Sequence, residues 1–227
     1  MKKTLFFKIF IFIIHPIPFL FCQEITTANV FFSEISEMYS KIKTYSANIS
    51  ITVGATNQSM HATTYFKHPN RLRIDFTKPN NQVILFTGDT LTIYVPEYRM
   101  ILNQTMDKDN TLGTTYSATP QGLSLLKRSY TIAYETGAAP QPLEEGSKEQ
   151  VIILILNRRS ATEAFRRIRL FISPQTKLIR RIEALPISGS KIIFDFTSYQ
   201  LDVSIPDARF LYDIPPNADM INNFLFE

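Results

Sequence analysis

Residues 64–94 read TYFKHPNRLRIDFTKPNNQVILFTGDTLTIY and contain most of the information about the architecture. Short runs rich in β-branched and aromatic residues alternate here with polar turn signals. The turn signals are Pro69-Asn70, Lys78-Pro79-Asn80-Asn81 and Gly88-Asp89. Strand-like runs that recur about every eight to twelve residues are typical of an antiparallel sheet.

The central run of this stretch has the alternation of a half-buried strand. Leu72, Ile74 and Phe76 occupy every second position. Arg71, Arg73 and Asp75 occupy the positions between. Because successive side chains of a strand point to opposite faces, this pattern predicts one apolar face and one solvated face.

The same pattern continues on both sides of this stretch. Strand-like runs occur at 46–54, 59–67, 70–77, 82–87, 90–95, 98–103, 129–136, 150–158, 164–173, 177–185 and 190–201. Residues 104–118 are polar and predict a long loop, and 138–149 is a polar insert. The proline-containing end, 206–221, is expected to cap an edge of the sheet. The prediction is a mainly β (α+β) fold with about ten to eleven antiparallel strands.

Two helices are predicted. Apolar residues spaced four, three, four and three apart predict a long N-terminal helix, which Thr26 or Thr27 can cap. These residues are Phe31, Ile35, Met38, Ile42 and Tyr45. A short helix is predicted over 120–126, where a proline stands in the first turn and Leu123 and Leu126 share one side.

The first 22 residues have the pattern of a secretory signal peptide. Lys2, Lys3 and Lys8 precede an apolar stretch that His15 and two prolines interrupt. Residues 23–227 are then expected to form one exported domain in the periplasm. Removal of the three lysines leaves 21 basic against 20 acidic residues, so the sequence gives no electrostatic case for nucleic-acid binding.

Cys22 allows two interpretations. It can be the last residue before the cleavage site, which leaves Gln23 first, or it can be the lipidated first residue of a lipoprotein. Phe21 favours cleavage, because lipidation signals usually have a small residue before the cysteine. Cys22 is the only cysteine, so no disulfide within the exported body is expected.

The sequence contains no recognisable catalytic or metal-binding motif. His61 and His68 do not have metal-ligand spacing, and no nucleophile elbow, phosphate loop or dinucleotide fingerprint occurs. No cofactor and no catalytic residue are therefore predicted. The arginines of 166–169 and 180–181 fit either the solvent face of a strand or a patch for acidic partners.

The predicted architecture leaves one question open. A long antiparallel sheet with an apolar aromatic face can fill itself with side chains, or it can curve and keep an apolar hollow beneath its helices. Composition does not decide between these two forms.

Residues 64–96 and the C-terminal segment resemble the outer-membrane lipoprotein carrier family, LolA. The shared features are the turns at 67–70 and 78–80, the Gly-x-Thr-Leu of 88–91, and the Tyr-Val-Pro of 94–96. The segment from Ile205 through Asp219 is similar to the end of that family, and both predicted helices lie where the family has its own.

The resemblance implies an incomplete β-barrel with a helical lid over an apolar cavity. It also implies a monomeric carrier that takes triacylated lipoproteins from an inner-membrane ABC transporter to an outer-membrane acceptor. By position, the expected acyl-chain cavity is lined by Leu72, Ile74, Phe76, Val83, Leu85, Leu91 and Ile93. The resemblance also implies that Leu123 and Leu126 of the short helix belong to the lid.

His68 departs from the family pattern. The usual arginine before the turn proline ties the lid shut, and a neutral imidazole offers one donor where a guanidinium offers five. Closure is therefore expected to be weaker, to use another residue such as Arg71, or to work differently. The alternative functions are a lipid-anchored acceptor and a general lipid-binding or sensor protein on the same scaffold.

Overall fold

The computed structural model describes residues 26–54, 58–105 and 118–223. The predicted signal peptide and most of the predicted loop at 104–118 lie outside these residues. Helices α1 and α2 span Ala28–Lys41 and Pro120–Ser129. The strands are β1 Thr44–Val53, β2 Gln58–Lys67, β3 Arg71–Lys78, β4 Val83–Phe86, β5 Thr90–Val95, β6 Met100–Thr105, β7 Tyr130–Tyr134, β8 Gln141–Pro142, β9 Gln150–Arg158, β10 Phe165–Ile172, β11 Ile179–Pro186, β12 Ile192–Leu201 and β13 Asp219–Asn222.

Helix α1 is capped by Thr27, one of its two predicted caps, and α2 is capped by Thr119, which the sequence analysis did not name. The Thr27 hydroxyl accepts from the Val30 N–H at 3.3 Å, and the Thr119 hydroxyl accepts from the Gly122 N–H at 3.1 Å. Pro120 follows in the first turn of α2, where a missing N–H costs nothing. Helix α1 ends at Lys41, so the predicted apolar face ran one turn too far, and Tyr45 lies in β1 instead.

The strands form one large open sheet. Twelve of them follow the order β13-β6-β5-β4-β3-β2-β1-β12-β11-β10-β9-β7, and β8 pairs with β9. All pairs are antiparallel except β13 with β6. The end strands β13 and β7 do not pair with each other within the described residues, so the predicted mainly β, incompletely closed fold is confirmed.

The two halves of the sheet meet where the first strand pairs with β12. Tyr45 lies opposite Leu201 and Val53 opposite Ile192, so residues from both ends of the chain share one ladder. A bulge between Ser46 and Asn48 interrupts the register there. Bulges increase the local twist, which favours the curvature of a sheet that wraps around helices.

Helices α1 and α2 cover one face of the sheet, which we call the inner face. Phe32 and Ile35 of α1 and Leu123 of α2 are fully buried there. From the sheet, this core includes Tyr45, Ile49, Phe66, Ile74, Leu154, Leu156, Leu170, Ile182 and Phe196. The inner face beneath the helices is thus a packed aliphatic and aromatic core.

The last described residues cross the other face of the sheet, which we call the outer face. This C-terminal arm, residues 203–222, packs Ile205 and Phe210 against Leu85. The Arg73 guanidinium donates to the carbonyls of Arg209 and Leu211 at 2.9 and 3.0 Å. The arm ends as β13 beside β6, which confirms that the proline-containing end caps an edge of the sheet.

Asp207 fastens the arm to the sheet through charge. Its carboxylate lies 2.6 Å from Lys67 Nζ and 2.9 Å from Arg71 Nη1. The hydrogen bond and charge of Lys67, with a smaller contribution from Arg71, lower the pKa of Asp207 below its usual value. A carboxyl whose folded pKa is lowered stabilises the docked arm above its unfolded pKa, and this contribution is lost as the pH falls through the folded pKa.

We therefore expect the amides of residues 205 and 207–212 to exchange faster with solvent when the pH falls below about 4. Site-resolved hydrogen exchange, corrected for the intrinsic rate at each pH, measures this. Asp207→Asn should already exchange fast at pH 7 and should show no further acid step. An acid step that persists in Asp207→Asn would assign the effect to another group.

Candidate functional site

The three residues predicted first for a cavity share the inner face. Leu72, Ile74 and Phe76 of β3 are buried in the core with α1 and α2. Thr64 and Phe66 of the neighbouring strand lie opposite Ile74 and Leu72 and are buried as well. Beneath the helices, the inner face is therefore occupied by the chain's own side chains.

The register extends the inner face to the edge of the sheet. Leu72 lies opposite Phe86 and Ile74 opposite Ile84, and Ile84 in turn lies opposite Ile93. The same face then continues through Leu102 of β6 and Ile221 of β13. We call the half-exposed or exposed residues Ile84, Phe86, Ile93, Leu102 and Ile221 the apolar rim.

The apolar rim is continuous with the buried core. Ile84 and Phe86 pack against the core cluster while part of each side chain stays accessible. Leu91 pairs with Phe86 and is buried on the same face. Leu91 and Ile93 thus lie on the inner face that the sequence analysis assigned to them.

Val83 and Leu85 lie on the outer face, and the prediction that they line the cavity is wrong in orientation. Val83 pairs with Asp75 and Leu85 with Arg73, both of which point away from the helices. Leu85 is buried by Ile205 and Phe210 of the C-terminal arm. Strand β4 is apolar at all four positions, because the arm covers one face and the core the other. Its residues alone therefore show no alternation that could orient it.

Helix α2 covers the core, and polar contacts join it to the turn before β3 and to α1. Leu123 and Leu126 are buried, as predicted for the inward side of this helix. The Gln121 side-chain amide donates to the Pro69 carbonyl in the turn between β2 and β3. Lys127 Nζ donates to the Ser33 hydroxyl of α1 at 2.9 Å.

A buried tyrosine also contacts the start of α2. The Tyr45 hydroxyl donates to the Ala118 carbonyl at 2.9 Å, and its ring stacks on Phe66 at 5.3 Å. Burial is the main reason that the pKa of Tyr45 lies well above its ordinary value, and it raises the pKa of Tyr39 to about 12. Both phenols therefore stay protonated at neutral pH and can act as donors.

His68 and Arg71, the residues expected to close the lid, contact parts of the chain other than α2. His68 is exposed, and its backbone N–H donates to the Lys43 carbonyl at 2.7 Å. The contact from this turn to α2 comes instead from the next residue, Pro69, through Gln121. Arg71 binds Asp207 of the C-terminal arm on the outer face, so it does not replace the family's arginine at the lid.

Each of the two arginine clusters in the second half of the sheet forms ion pairs with nearby acids. Arg169 lies 2.5 Å from Glu135 and 2.8 Å from Glu183, and Arg181 lies 2.7 Å from both Asp195 and Glu144. These pairs favour the solvent-face interpretation of the sequence over a basic patch for acidic partners. Arg166 donates to the Ile187 carbonyl at 3.0 Å.

In 26–54, 58–105 and 118–223, no group of three or more His, Cys, Asp or Glu is placed to hold a metal ion. Over the same residues, the helices are too short or too polar to cross a bilayer.

Two relatives align with most of the length of this chain. Outer-membrane lipoprotein carrier proteins of Methylibium petroleiphilum and Leptothrix cholodnii are each 24% identical to it, over 186 and 187 residues. These alignments cover 80% and 82% of this chain and 84% and 81% of the relatives.

Solved structures share the fold at low sequence identity. An uncharacterized conserved protein of Thermus thermophilus superposes with a TM-score of 0.55 at 14% identity, covering 84% of this chain and 98% of that one. A chain of the Pseudomonas aeruginosa MucA/MucB complex superposes with a TM-score of 0.50 at 11% identity, and the alignment covers 82% of this chain and 61% of that one.

The family model described as outer membrane lipoprotein carrier protein LolA matches residues 40–213. The match runs from the end of α1 through all the strands of the sheet except β13, and it includes α2. The chain therefore belongs to the LolA family of outer membrane lipoprotein carrier proteins.

Proposed function

We propose that residues 23–227 act as a monomeric periplasmic carrier that shields the acyl chains of triacylated lipoproteins on the inner face of the sheet. One observation carries this proposal: the half-exposed apolar rim passes without a break into an apolar core that two helices cover. Acyl chains that settle on the rim can reach the core if α2 moves.

Energetics explain why such a carrier is needed. Each buried methylene is worth roughly 0.8 kcal/mol, so an acyl chain of about fifteen methylenes gains on the order of 12 kcal/mol by leaving water. A carrier has to bury the chains and still release them. In the proposed cycle the core residues reclose on themselves when the chains depart, so the free energy of the empty state offsets part of the binding.

The proposed route runs from an inner-membrane ABC transporter to an outer-membrane acceptor. The names of the relatives and of the family support carriage of lipoproteins to the outer membrane. The transporter supplies the energy of extraction in this scheme, and the carrier needs only a difference in affinity between donor, carrier and acceptor.

A cross-link between the two helices tests the movement of α2. Ser33→Cys and Lys127→Cys replace side chains that touch at 2.9 Å, and a short thiol-cleavable bifunctional reagent would join them in the chain from residue 23 onward. We expect the joined protein to take up no triacylated lipoprotein from spheroplasts. Reduction should restore a one-to-one complex, which native mass spectrometry detects.

The matched control joins two positions within α1. Glu37 and Lys41 form an ion pair one turn apart, so Glu37→Cys with Lys41→Cys accepts the same reagent without fixing α2. This control should load normally. Loading that is equal in both cross-linked proteins would contradict the proposed opening of the lid, and no loading by the unmodified chain would contradict the carrier function.

A second candidate function rests on Cys22. Its place at the end of the apolar N-terminal stretch fits a lipid-anchored acceptor on the same scaffold. Mass spectrometry of the exported protein decides between them: a chain that starts at Gln23 supports the soluble carrier, and an acylated Cys22 supports the anchored acceptor.

A further inference from the structure

The free edge of β13 carries backbone groups that point away from the sheet. The Asp219 N–H donates to the Arg99 carbonyl at 2.9 Å, and the Asn223 N–H donates to the Asn103 carbonyl at 2.7 Å. Because successive residues of a strand direct their backbone groups to opposite sides, Met220 and Asn222 direct theirs outward. Among the described residues, no strand pairs with β13 on that side.

This edge lacks proline and lysine, two of the features that usually prevent pairing with another chain. Strand β13 reads Asp-Met-Ile-Asn, with no proline or lysine in it, and all four side chains are exposed. The β13 edge can therefore accept another strand through its outward backbone groups.

The apolar rim ends at this same edge. Ile221 lies beside Leu102 and is 38% exposed, so β13 forms the outermost strip of the rim. A lipoprotein joins its acyl chains to its first residue. Acyl chains that lie along the rim therefore leave the first residues of the polypeptide next to the outward backbone groups of Met220 and Asn222.

We propose that the first few residues of the acylated polypeptide add to β13 as an extra strand of the sheet. The proposal rests on the carrier function and extends it from the acyl chains to the peptide. Recognition would come from main-chain hydrogen bonds, which are independent of side-chain identity. The carrier would thus accept cargoes of different sequence, provided that the first residues are extended and have N–H groups to donate.

A set of synthetic probes separates the peptide from the acyl chains. The first is a triacylated cysteine followed by four residues, Ser-Thr-Val-Thr. Two others are the same lipopeptide with backbone N-methyl groups at the odd or at the even residues of those four. Palmitate serves as the probe without a peptide.

The chain from residue 23 onward should bind one of the two methylated lipopeptides more weakly than the unmethylated one, and the other equally well. A strand presents alternate N–H groups to its neighbour, so methylation at one set should lower the affinity about tenfold and methylation at the other should leave it unchanged. Hydrogen exchange of the Met220 and Asn222 amides should slow about tenfold or more when the unmethylated lipopeptide binds, and palmitate should have no such effect.

Two variants of one residue test the same edge from the protein side. Met220→Pro removes an outward N–H without touching the bonds of β13 to β6, and Met220→Ala keeps it. We expect the lipopeptide to bind about tenfold more weakly to Met220→Pro, and palmitate to bind both variants equally.

The outcomes distinguish the two proposals. Failure of palmitate and lipopeptide alike to bind would overturn the carrier function and this inference with it. Binding of both, with equal affinity for the two methylated lipopeptides and no protection of Met220 and Asn222, would overturn only the added strand. Protection without lipopeptide that grows with protein concentration would show that a second copy pairs there, which would also overturn the added strand.

Discussion

Phe86→Glu is expected to lower the uptake of a triacylated lipopeptide about tenfold or more while the fold persists. Phe86 lies on the apolar rim with part of its ring accessible, so a carboxylate there can reach water in the empty protein. A bound acyl chain would remove that water from an unpaired charge, which is a large penalty. The affinity for a fluorescent lipopeptide, with circular dichroism as the check on folding, measures the effect.

Two neighbours of Phe86 provide controls. Thr87→Glu adds the same charge at an exposed position and should leave uptake unchanged. Leu85→Ala should lower the free energy of unfolding by about 2–4 kcal/mol, because Leu85 is buried under the C-terminal arm, without changing uptake. Equal losses of uptake in Phe86→Glu and Thr87→Glu would show that the rim has no special role.

Phe66→Ala should be the most destabilising single truncation that we consider, at about 3–5 kcal/mol of the free energy of unfolding. The ring is fully buried on the inner face and stacks on Tyr45 at 5.3 Å. Its removal opens a cavity in the centre of the core and also releases the tyrosine that contacts the start of α2. Urea unfolding followed by circular dichroism measures the loss.

Tyr98→Ala is the matched control for that loss. Tyr98 is an aromatic residue of similar size that is 66% exposed, so its truncation should change the free energy of unfolding by no more than about 0.5 kcal/mol. A loss below about 1 kcal/mol for Phe66→Ala would mean that the core collapses around the gap and is softer than its packing indicates.

Most of the architecture could be predicted because most strands are long and separated by clear turns. The strands that the sequence analysis missed, β8 and β13, have two and four residues. Strand β13 has no buried side chain to produce an alternating pattern, and it is placed by backbone pairing with β6. Backbone pairing leaves no trace in the order of polar and apolar residues, so such a strand has to be seen in the structure.

The site was predictable only in part, and β4 shows why. In β3 the alternation of Leu72, Ile74 and Phe76 with charged residues fixes the face of each side chain. In β4 all of Val83, Ile84, Leu85 and Phe86 are apolar, and a shift by one residue exchanges the two faces. The choice depends on the C-terminal arm, which buries Leu85 from far along the chain.

The contacts of α2 depend on tertiary structure in the same way. His68 and Arg71 were reasonable candidates because they flank the turn that resembles the family's. The contact is made instead by a carbonyl of that turn and by Gln121, and a backbone carbonyl is present at every position of every sequence. Arg71 was directed to the outer face by the alternation of β3, where Asp207 of the arm meets it.

The pairing of β1 with β12 also fixes an order of events in folding. Strands β1 to β6 follow one another in the chain and can pair as soon as each has been exported, but the partner of β1 on its other side follows only after β11. Until then the first half of the sheet presents a ten-residue edge, with apolar residues such as Ile49 and Ile51 uncovered beside it. Joining such distant segments is slow, so newly exported chains should be most prone to aggregate in the interval before β12 pairs with β1.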